Sequence, residues 1–141
     1  MTCDLCERPI QPLWQDDFCR VVLLNDVDYP AYCRVELIAH VKEMTDLQIT
    51  ERTRVMNVVF AVEAAMREMF NPTKINLASL GNKTPHVHWH VIPRFENDKH
   101  FPNSHWGEAL RESVAQKLDE KTVEMLTEKI TTHISYAINS A

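Results

Sequence analysis

Long apolar runs, positive charge and glycine are all scarce in this sequence. No stretch of about 18 consecutive apolar residues occurs, so we expect no membrane-spanning helix. The opening residues MTCDLCER hold neither a basic region nor an apolar core, which predicts no secretory signal and a cytoplasmic location. The formal net charge of −5 disfavours a nucleic-acid duplex as partner, because duplex binding needs a basic surface. A small phosphorylated ligand is compatible with this charge, because a local pocket can supply cations or amides.

Cysteine and glycine are few, and their positions carry information. The four cysteines stand at positions 3, 6, 19 and 33. In a reducing compartment they are expected to be thiols or metal ligands rather than disulfides. Of the two glycines, Gly81 opens the loop 81–85, where it favours a tight turn or a close backbone approach.

The chain has 141 residues, of which 45% are hydrophobic, and contains no repeat, linker or low-complexity tract. This length predicts one domain over residues 1–141. Residues 1–12, with two prolines, are expected to form an irregular N-terminal segment. From about 107 to 141 the chain is polar and is expected to be helical.

Hydrophobic patterning predicts four strands and one long helix between these two segments. Apolar residues recur at helical spacing from about 50 to 70, and the apolar runs rich in β-branched residues predict strands. The predicted strands cover 18–24, 32–39, 74–80 and 86–94. Turn-forming residues at 25–30 separate the first two strands, so these are expected to pair as an antiparallel hairpin.

Three histidines alternate with apolar residues in the last predicted strand. Successive side chains of a strand point to opposite faces, so His86, His88 and His90 should share one face. One of them could be a nucleophile, because a neutral imidazole has a free lone pair at pH 7 and its other nitrogen can fix the tautomer. Alternatively, the three could bind a catalytic metal.

The motif resembles the signature of the histidine-triad (HIT) family, in which three histidines alternate with hydrophobic residues and two hydrophobic residues follow. Residues 86–92, HVHWHVI, fit it in full. The wider string KINLASLGNKTPHVHWHVIPRF, followed by FPNSHW, is similar to the bacterial branch of diadenosine tetraphosphate hydrolases. The resemblance runs from Cys3 to about Trp106. It implies an α+β fold with a five-stranded antiparallel sheet and two main helices, commonly paired as a homodimer.

The resemblance also implies a reaction. The middle histidine, here His88, would attack the α-phosphate of a dinucleoside polyphosphate and form a nucleotidyl-histidine, which water hydrolyses. His90 would contact the phosphate or the leaving-group side, and His86 would belong to a polar network. No cofactor is required for this chemistry.

The resemblance places substrate contacts in two loops. Gly81 and Asn82 stand where the family usually has a Gly-Gln pair, and the amide of Asn82 can donate to a phosphate oxygen. Lys83 replaces a small hydroxyl residue and either binds a polyphosphate or points to solvent. Asp26, with Asn25 as second candidate, would accept from the ribose, unless both only form a turn. In addition, Tyr32 occupies a position where many relatives have a histidine.

Cys3 and Cys6 have the spacing of a metal-binding pair. A redox role is less expected, because no βαβ pattern surrounds them. Some bacterial relatives hold a structural zinc with such a pair, a histidine that ends the second strand and the first triad histidine. Those histidines would here be His40 and His86, completing a tetrahedral zinc site. Otherwise the cysteines are two reduced thiols.

Three other functions compete with dinucleoside polyphosphate hydrolysis. A nucleoside phosphoramidase would use the same intermediate with a nitrogen leaving group. A nucleotide-binding regulator with little catalysis would usually lack the middle histidine, which is present here. A metal-dependent hydrolase centred on the three histidines would lose activity in chelator.

Overall fold

The computed structural model describes residues 2–139, and these form a five-stranded antiparallel sheet with two long helices. This confirms the α+β fold class. In chain order the elements are α1 (Asp4–Glu7), β1 (Trp14–Gln15), β2 (Cys19–Leu23), β3 (Cys33–Leu37), a 3₁₀ turn (Met44–Asp46), α2 (Ile49–Phe70), β4 (Lys74–Ala78), β5 (His88–Arg94) and α3 (Glu120–Asn139). The strands lie in the order β1-β2-β3-β5-β4.

Strand β5 lies between two strands that precede it in the chain. The predicted hairpin is present as β2 and β3, with Val21 opposite Val35. Strand β5 then pairs with β3 on one side and with β4 on the other. Its pairing with β3 sets Arg34 opposite His90 and Glu36 opposite His88. The central position of β5 therefore surrounds the histidines with side chains from β3.

The hydrophobic core lies between the sheet and α2. Apolar residues of α2 at helical spacing bury against the sheet because they form one face of the helix. Val87, Trp89 and Val91 belong to this core, together with Val35 of β3. His88 and His90 alternate with these residues within β5 and therefore occupy the opposite face of the sheet.

Both ends of α2 are defined by local chemistry. Gln48 is the N-cap and forms a reciprocal capping box with Glu51, which satisfies otherwise free N–H groups of the first turn. Asn71 ends the helix with φ of 45°, the left-handed conformation in which a helix commonly stops. Pro72 follows and cannot continue the helical hydrogen bonding.

The C-terminal helix begins later than predicted. Residues 107–119 are not helical, and α3 begins at Glu120. Asp119 accepts the main-chain N–H of Thr122 and so caps the first turn. The buried residues of α3 are Leu126, Ile130 and Ile134, four residues apart, whereas the preceding segment is mostly exposed and has no such stripe to bury. Residues 140 and 141 of the predicted helical segment lie outside the described residues.

The N-terminal segment is less irregular than predicted. Asp4–Glu7 form one helical turn, which buries Leu5 against the fold. The remaining described part of the segment contains no regular element up to residue 12, and residue 1 lies outside the description. Between residues 2 and 139, no helix has both the length and the apolar composition needed to cross a bilayer.

Candidate active site

The three triad histidines are all buried, with residual exposures of 0%, 7% and 8% for His86, His88 and His90. The rings of His88 and His90 lie edge to face, with centroids 5.0 Å apart. The sequence predicted a strand that begins at His86, but β5 begins at His88. The reason is that the N–H of Val87 donates to the carbonyl of Val41, outside the sheet.

One ring nitrogen of His88 is held by the main chain. Its Nδ1 lies 2.6 Å from the carbonyl oxygen of His86. Because a carbonyl only accepts, Nδ1 carries the hydrogen and Nε2 of the neutral ring keeps its lone pair. Ser79 donates to the carbonyl of His88 at 2.8 Å, which fixes the backbone of the same residue. His88 thus has the tautomer that a nucleophilic Nε2 requires.

His90 has a different partner, the phenol of Tyr32. Its Nδ1 lies 2.5 Å from the Tyr32 hydroxyl, and the rings meet edge to face. Burial raises the pKa of Tyr32, so the phenol keeps its proton and can donate. Burial, followed by the neighbouring His88 and Arg34, lowers the pKa of His90 to about 4. The neutral ring that accepts at Nδ1 carries its hydrogen on Nε2, where it can donate to a ligand.

A chain of three charged residues lies beside the histidines on the same face of the sheet. Arg20 donates from Nε to Glu36 at 2.8 Å, and Arg34 donates from Nε to the other Glu36 oxygen at 2.5 Å. A terminal nitrogen of Arg20 also donates to the carbonyl of Leu5, which ties the N-terminal segment to the sheet. The side chain of Glu36 is 1% exposed, so two arginines neutralise one buried carboxylate.

The predicted phosphate loop lies immediately before β5. Gly81 has φ of 87°, which L side chains rarely adopt, as the prediction of a tight turn requires. Asn82 and Lys83 are exposed. The structure shows neither side chain hydrogen bonded to another described residue, so both are accessible to a ligand.

The predicted ribose residues form a turn at the end of β2. One carboxylate oxygen of Asp26 accepts the N–H groups of Asp28 and Tyr29, and the other lies 3.4 Å from Nε2 of His105. Asn25 is exposed and has φ of 55°. Both line a cavity of about 720 Å³ beside the start of α3, whose described lining contains none of the triad histidines. The carboxylate of Asp26 is therefore already engaged by the main chain of its own turn and by His105.

The predicted metal ligands converge. Donor atoms of Cys3, Cys6, His40 and His86 lie within 4.8 Å of one another. Nδ1 of His86 is 3.4 Å from Sγ of Cys3 and 3.5 Å from Sγ of Cys6, and Nδ1 of His40 is 3.6 Å from Sγ of Cys6. Tetrahedral zinc, with bonds of about 2.3 Å to sulfur and about 2.0 Å to nitrogen, separates such atoms by about 3.5 Å. Nε2 of His86 donates to the carbonyl of Leu37 at 2.7 Å, which orients Nδ1 toward the cluster.

Aromatic and imidazole rings from residues 98–106 cover the His90 side of the site. Trp106 meets His90 edge to face at 5.0 Å and is half exposed. His105 packs against Tyr32 at 5.1 Å, and its buried Nδ1 has no partner within the described chain. Asp98 anchors this segment by accepting two hydrogen bonds from Arg94 and one from Tyr29.

Several residues of the site escape prediction from the sequence. Arg20 in β2, and Arg34 and Glu36 in β3, are charged residues within otherwise apolar strands, which is a usable signal. Tyr32 attracts notice only through the histidine that relatives have there. The contact of Ser79 with His88 depends on the β4–β5 register, so no local sequence pattern predicts it.

Comparison with known families and structures agrees with this geometry. The sequence profile of the HIT domain matches residues 6–97 of the 141-residue chain. A search among curated proteins found no significant match.

Several solved structures share the fold at low sequence identity. A histidine triad protein from Sinorhizobium meliloti 1021 is 24% identical, with a TM-score of 0.72 over 94% of this chain and 96% of that one. A zinc-bound histidine triad family protein from Mycobacterium smegmatis is 16% identical, with a TM-score of 0.60 over 99% and 98%. Plasmodium falciparum diadenosine triphosphate hydrolase is 20% identical, with a TM-score of 0.50 over 92% and 76%.

Proposed function

Because the chain belongs to the HIT domain family, we propose that it is a nucleotide hydrolase that cleaves a phosphoanhydride bond of dinucleoside polyphosphates. The reaction passes through a nucleotidyl-histidine formed on His88. The observation that carries this proposal is the 2.6 Å hydrogen bond from Nδ1 of His88 to the carbonyl of His86, because it leaves the lone pair of Nε2 free to attack. The fold shared with a diadenosine triphosphate hydrolase agrees with this substrate class.

In the first step, Nε2 of His88 attacks the α-phosphorus and the bond to the bridging oxygen breaks. The ring becomes cationic, since both of its nitrogens are now substituted. The carbonyl of His86 stabilises this cation by accepting the Nδ1 hydrogen. The departing nucleoside polyphosphate leaves as an anion, and Nε2 of His90 donates a hydrogen bond to its oxygen.

In the second step, water attacks the same phosphorus and the P–N bond breaks. The electron pair returns to Nε2 of His88, the mononucleotide departs, and the proton of the water is released to solvent. His90 enters the cycle in its neutral form, because burial lowers its pKa to about 4. The enzyme is then ready for another cycle without a cofactor in the chemistry.

The phosphates are held by the loop before β5 and by the face of the sheet. Asn82 supplies an amide, Lys83 supplies a cation, and the left-handed turn at Gly81 lets the main chain approach an anion closely. Asp26, with Asn25 as the second candidate, accepts a hydrogen bond from the ribose. To make it, Asp26 exchanges its 3.4 Å contact with His105 for a ribose hydroxyl.

The four convergent donors suit a structural zinc. Cys3, Cys6, His40 and His86 would hold it, and it would tie the N-terminal turn to the sheet. When bound, the metal would supply stability and would orient the residue whose carbonyl holds His88. The fold shared with a zinc-bound histidine triad family protein agrees with this proposal.

A hydrolysis panel tests the function. Diadenosine polyphosphates, adenosine phosphoramidates and mononucleotides are each incubated with the protein, with and without chelator, and the products are identified. We expect a mononucleotide product from the polyphosphates. A substrate chiral at the α-phosphorus should be hydrolysed with net retention, because two displacements each invert the centre. Exclusive cleavage of phosphoramidates, or inversion at phosphorus, would contradict the proposal.

The oligomeric state is tested separately. The resemblance to the family implies a homodimer, and light scattering of the purified protein measures its mass in solution. A monomer at catalytic concentrations would contradict that expectation without affecting the proposed reaction.

A further inference from the structure

The charged chain Arg20–Glu36–Arg34 has one positive charge more than it has negative charges. The side chains of Arg20, Glu36 and Arg34 are 8%, 1% and 19% exposed, so this charged cluster is largely removed from water. Within residues 2–139, Glu36 is the one carboxylate in salt-bridge contact with either arginine. A buried charge without a counterion is costly, and binding an anion there removes that cost.

Arg34 is the arginine of this cluster that lies next to the histidines. It lies directly opposite His90 across the β3–β5 ladder, where side chains on one face are neighbours. Its Nε donates to Glu36, which lies opposite His88, so the guanidinium extends along β3 from the level of His90 toward the level of His88. Arg20, in contrast, is directed toward the carbonyl of Leu5 in the N-terminal segment.

The donors of Arg34 are only partly used. Its Nε is bonded to Glu36, whereas its two terminal nitrogens have no hydrogen-bond partner in the described part of the chain. A guanidinium held at Nε presents its remaining N–H groups in a rigid plane, the geometry that matches two oxygens of a phosphate. Glu36 therefore orients the arginine and leaves its phosphate-binding edge free.

We infer that Arg34 binds the phosphate group on which His88 acts, with Glu36 as the residue that positions it. The inference rests on the proposed function for the identity of the ligand as a nucleotide. It adds a cation on the sheet itself to the loop residues 81–83 of the proposed function. Arg34 contacts two non-bridging oxygens and neutralises charge on them while the P–N bond forms.

Binding of adenosine monophosphate (AMP) and of adenosine, measured by calorimetry, tests the inference independently of turnover. Arg34→Gln should weaken AMP binding at least tenfold and change adenosine binding less than twofold, because only AMP carries the phosphate. Arg34→Lys keeps the charge but not the planar pair of donors, and should weaken AMP binding about threefold to tenfold. Inorganic phosphate should compete with AMP in the wild type and lose that ability in Arg34→Gln.

Arg54→Gln is the matched control. It removes the same charge from an exposed arginine that pairs with Asp16 and Asp17, and should leave both affinities unchanged. If Arg34→Gln does not fold, Arg34→Lys carries the test alone. The inference is overturned if the wild type does not bind AMP, if Arg34 variants bind it as tightly as Arg54→Gln, or if AMP and adenosine weaken equally.

The two proposals can fail separately. A wild-type protein that binds AMP through Arg34 but hydrolyses no dinucleoside polyphosphate refutes the proposed function and supports this inference. A wild-type protein that hydrolyses them, with kcat/KM unaltered by Arg34→Gln, supports the function and refutes the role of Arg34.

Discussion

Nδ1 of His90 lies 2.5 Å from the hydroxyl of Tyr32, whereas Nδ1 of His88, two residues earlier, meets a main-chain carbonyl. The first nitrogen accepts a hydrogen and the second donates one. The two imidazoles are therefore held in opposite tautomers, with a lone pair on Nε2 of His88 and a hydrogen on Nε2 of His90. This pairing divides the proposed reaction between a nucleophile and a donor.

Removing the Tyr32 hydroxyl should affect turnover more than binding. Tyr32→Phe leaves the His90 tautomer unspecified, and one lost hydrogen bond of about 1 kcal/mol predicts a fall in kcat of about fivefold to tenfold. KM should change less than twofold. Steady-state kinetics measures both. Tyr29→Phe is the control, because that hydroxyl contacts Asp98 and His100 rather than the triad. Equal losses of kcat in both variants would argue against a specific role for Tyr32.

His88→Ala should lower kcat by several orders of magnitude and leave the fold intact. The loss falls on kcat because the covalent route no longer exists. His133→Ala serves as control, since His133 pairs with Glu68 on the helical side of the molecule. Retention of more than about a tenth of the wild-type kcat would show that His88 is not the nucleophile.

Purified protein should contain about one zinc per chain, measured by elemental analysis. Cys6→Ala should lose the metal and lower the melting temperature, because metal binding contributes directly to folding free energy. Cys33→Ala should keep the metal, since Cys33 is a buried core thiol outside the cluster, with its pKa raised by burial to about 12. Metal-free wild-type protein with unchanged stability would refute a structural zinc.

Asn82→Ala and Lys83→Ala should both weaken polyphosphate cleavage, and Lys83 should matter more as the phosphate chain lengthens. We expect the protein to recognise its substrate through the phosphates and the ribose, because no cluster of side chains that could contact the base is evident in the sequence. Adenine and guanine substrates should then differ in kcat/KM by less than about tenfold. A strong preference for one base, with indifference to both loop substitutions, would place recognition elsewhere.

Asp98→Asn should destabilise the protein at pH 7 by about 3 kcal/mol, because it breaks a buried pair with Arg94. Burial alone would raise the pKa of Asp98, but hydrogen bonds from Arg94 and from main-chain N–H groups outweigh it and hold the pKa well below its usual range. The folded-state pKa is thus below the unfolded value of about 3.9, so the stabilisation is present above that pH and is lost as the pH falls toward the folded pKa.

Urea unfolding of Asp98→Asn and wild type between pH 7 and pH 3 measures this dependence. The difference between them should shrink below about pH 4, where the unfolded carboxylate takes up its proton. Asp17→Asn is the control and should cost less than about 1 kcal/mol, because Asp17 is exposed beside Arg54. A difference that stays constant with pH would contradict the proposed ionic role of Asp98.

Local patterns in the sequence were sufficient for β2 to β5 and for α2, but not for the short elements α1 and β1. The apolar spacing predicts α2 to within one residue at its start, since a helix repeats every 3.6 residues whatever surrounds it. Segments without such a period were predicted less well. The helix expected from about 107 begins at Glu120, because a polar segment has no apolar stripe to fix its boundary.

The sequence alone thus determined that His86, His88 and His90 alternate with core residues, because side chains of a strand alternate as a local property of the backbone. The tertiary structure alone decided which groups these histidines meet. Arg34 faces His90 because β5 inserts between β3 and β4. Sγ of Cys3 reaches Nδ1 of His86 across 83 positions of the chain. Such partners depend on strand register and on burial of distant segments, which no local period encodes.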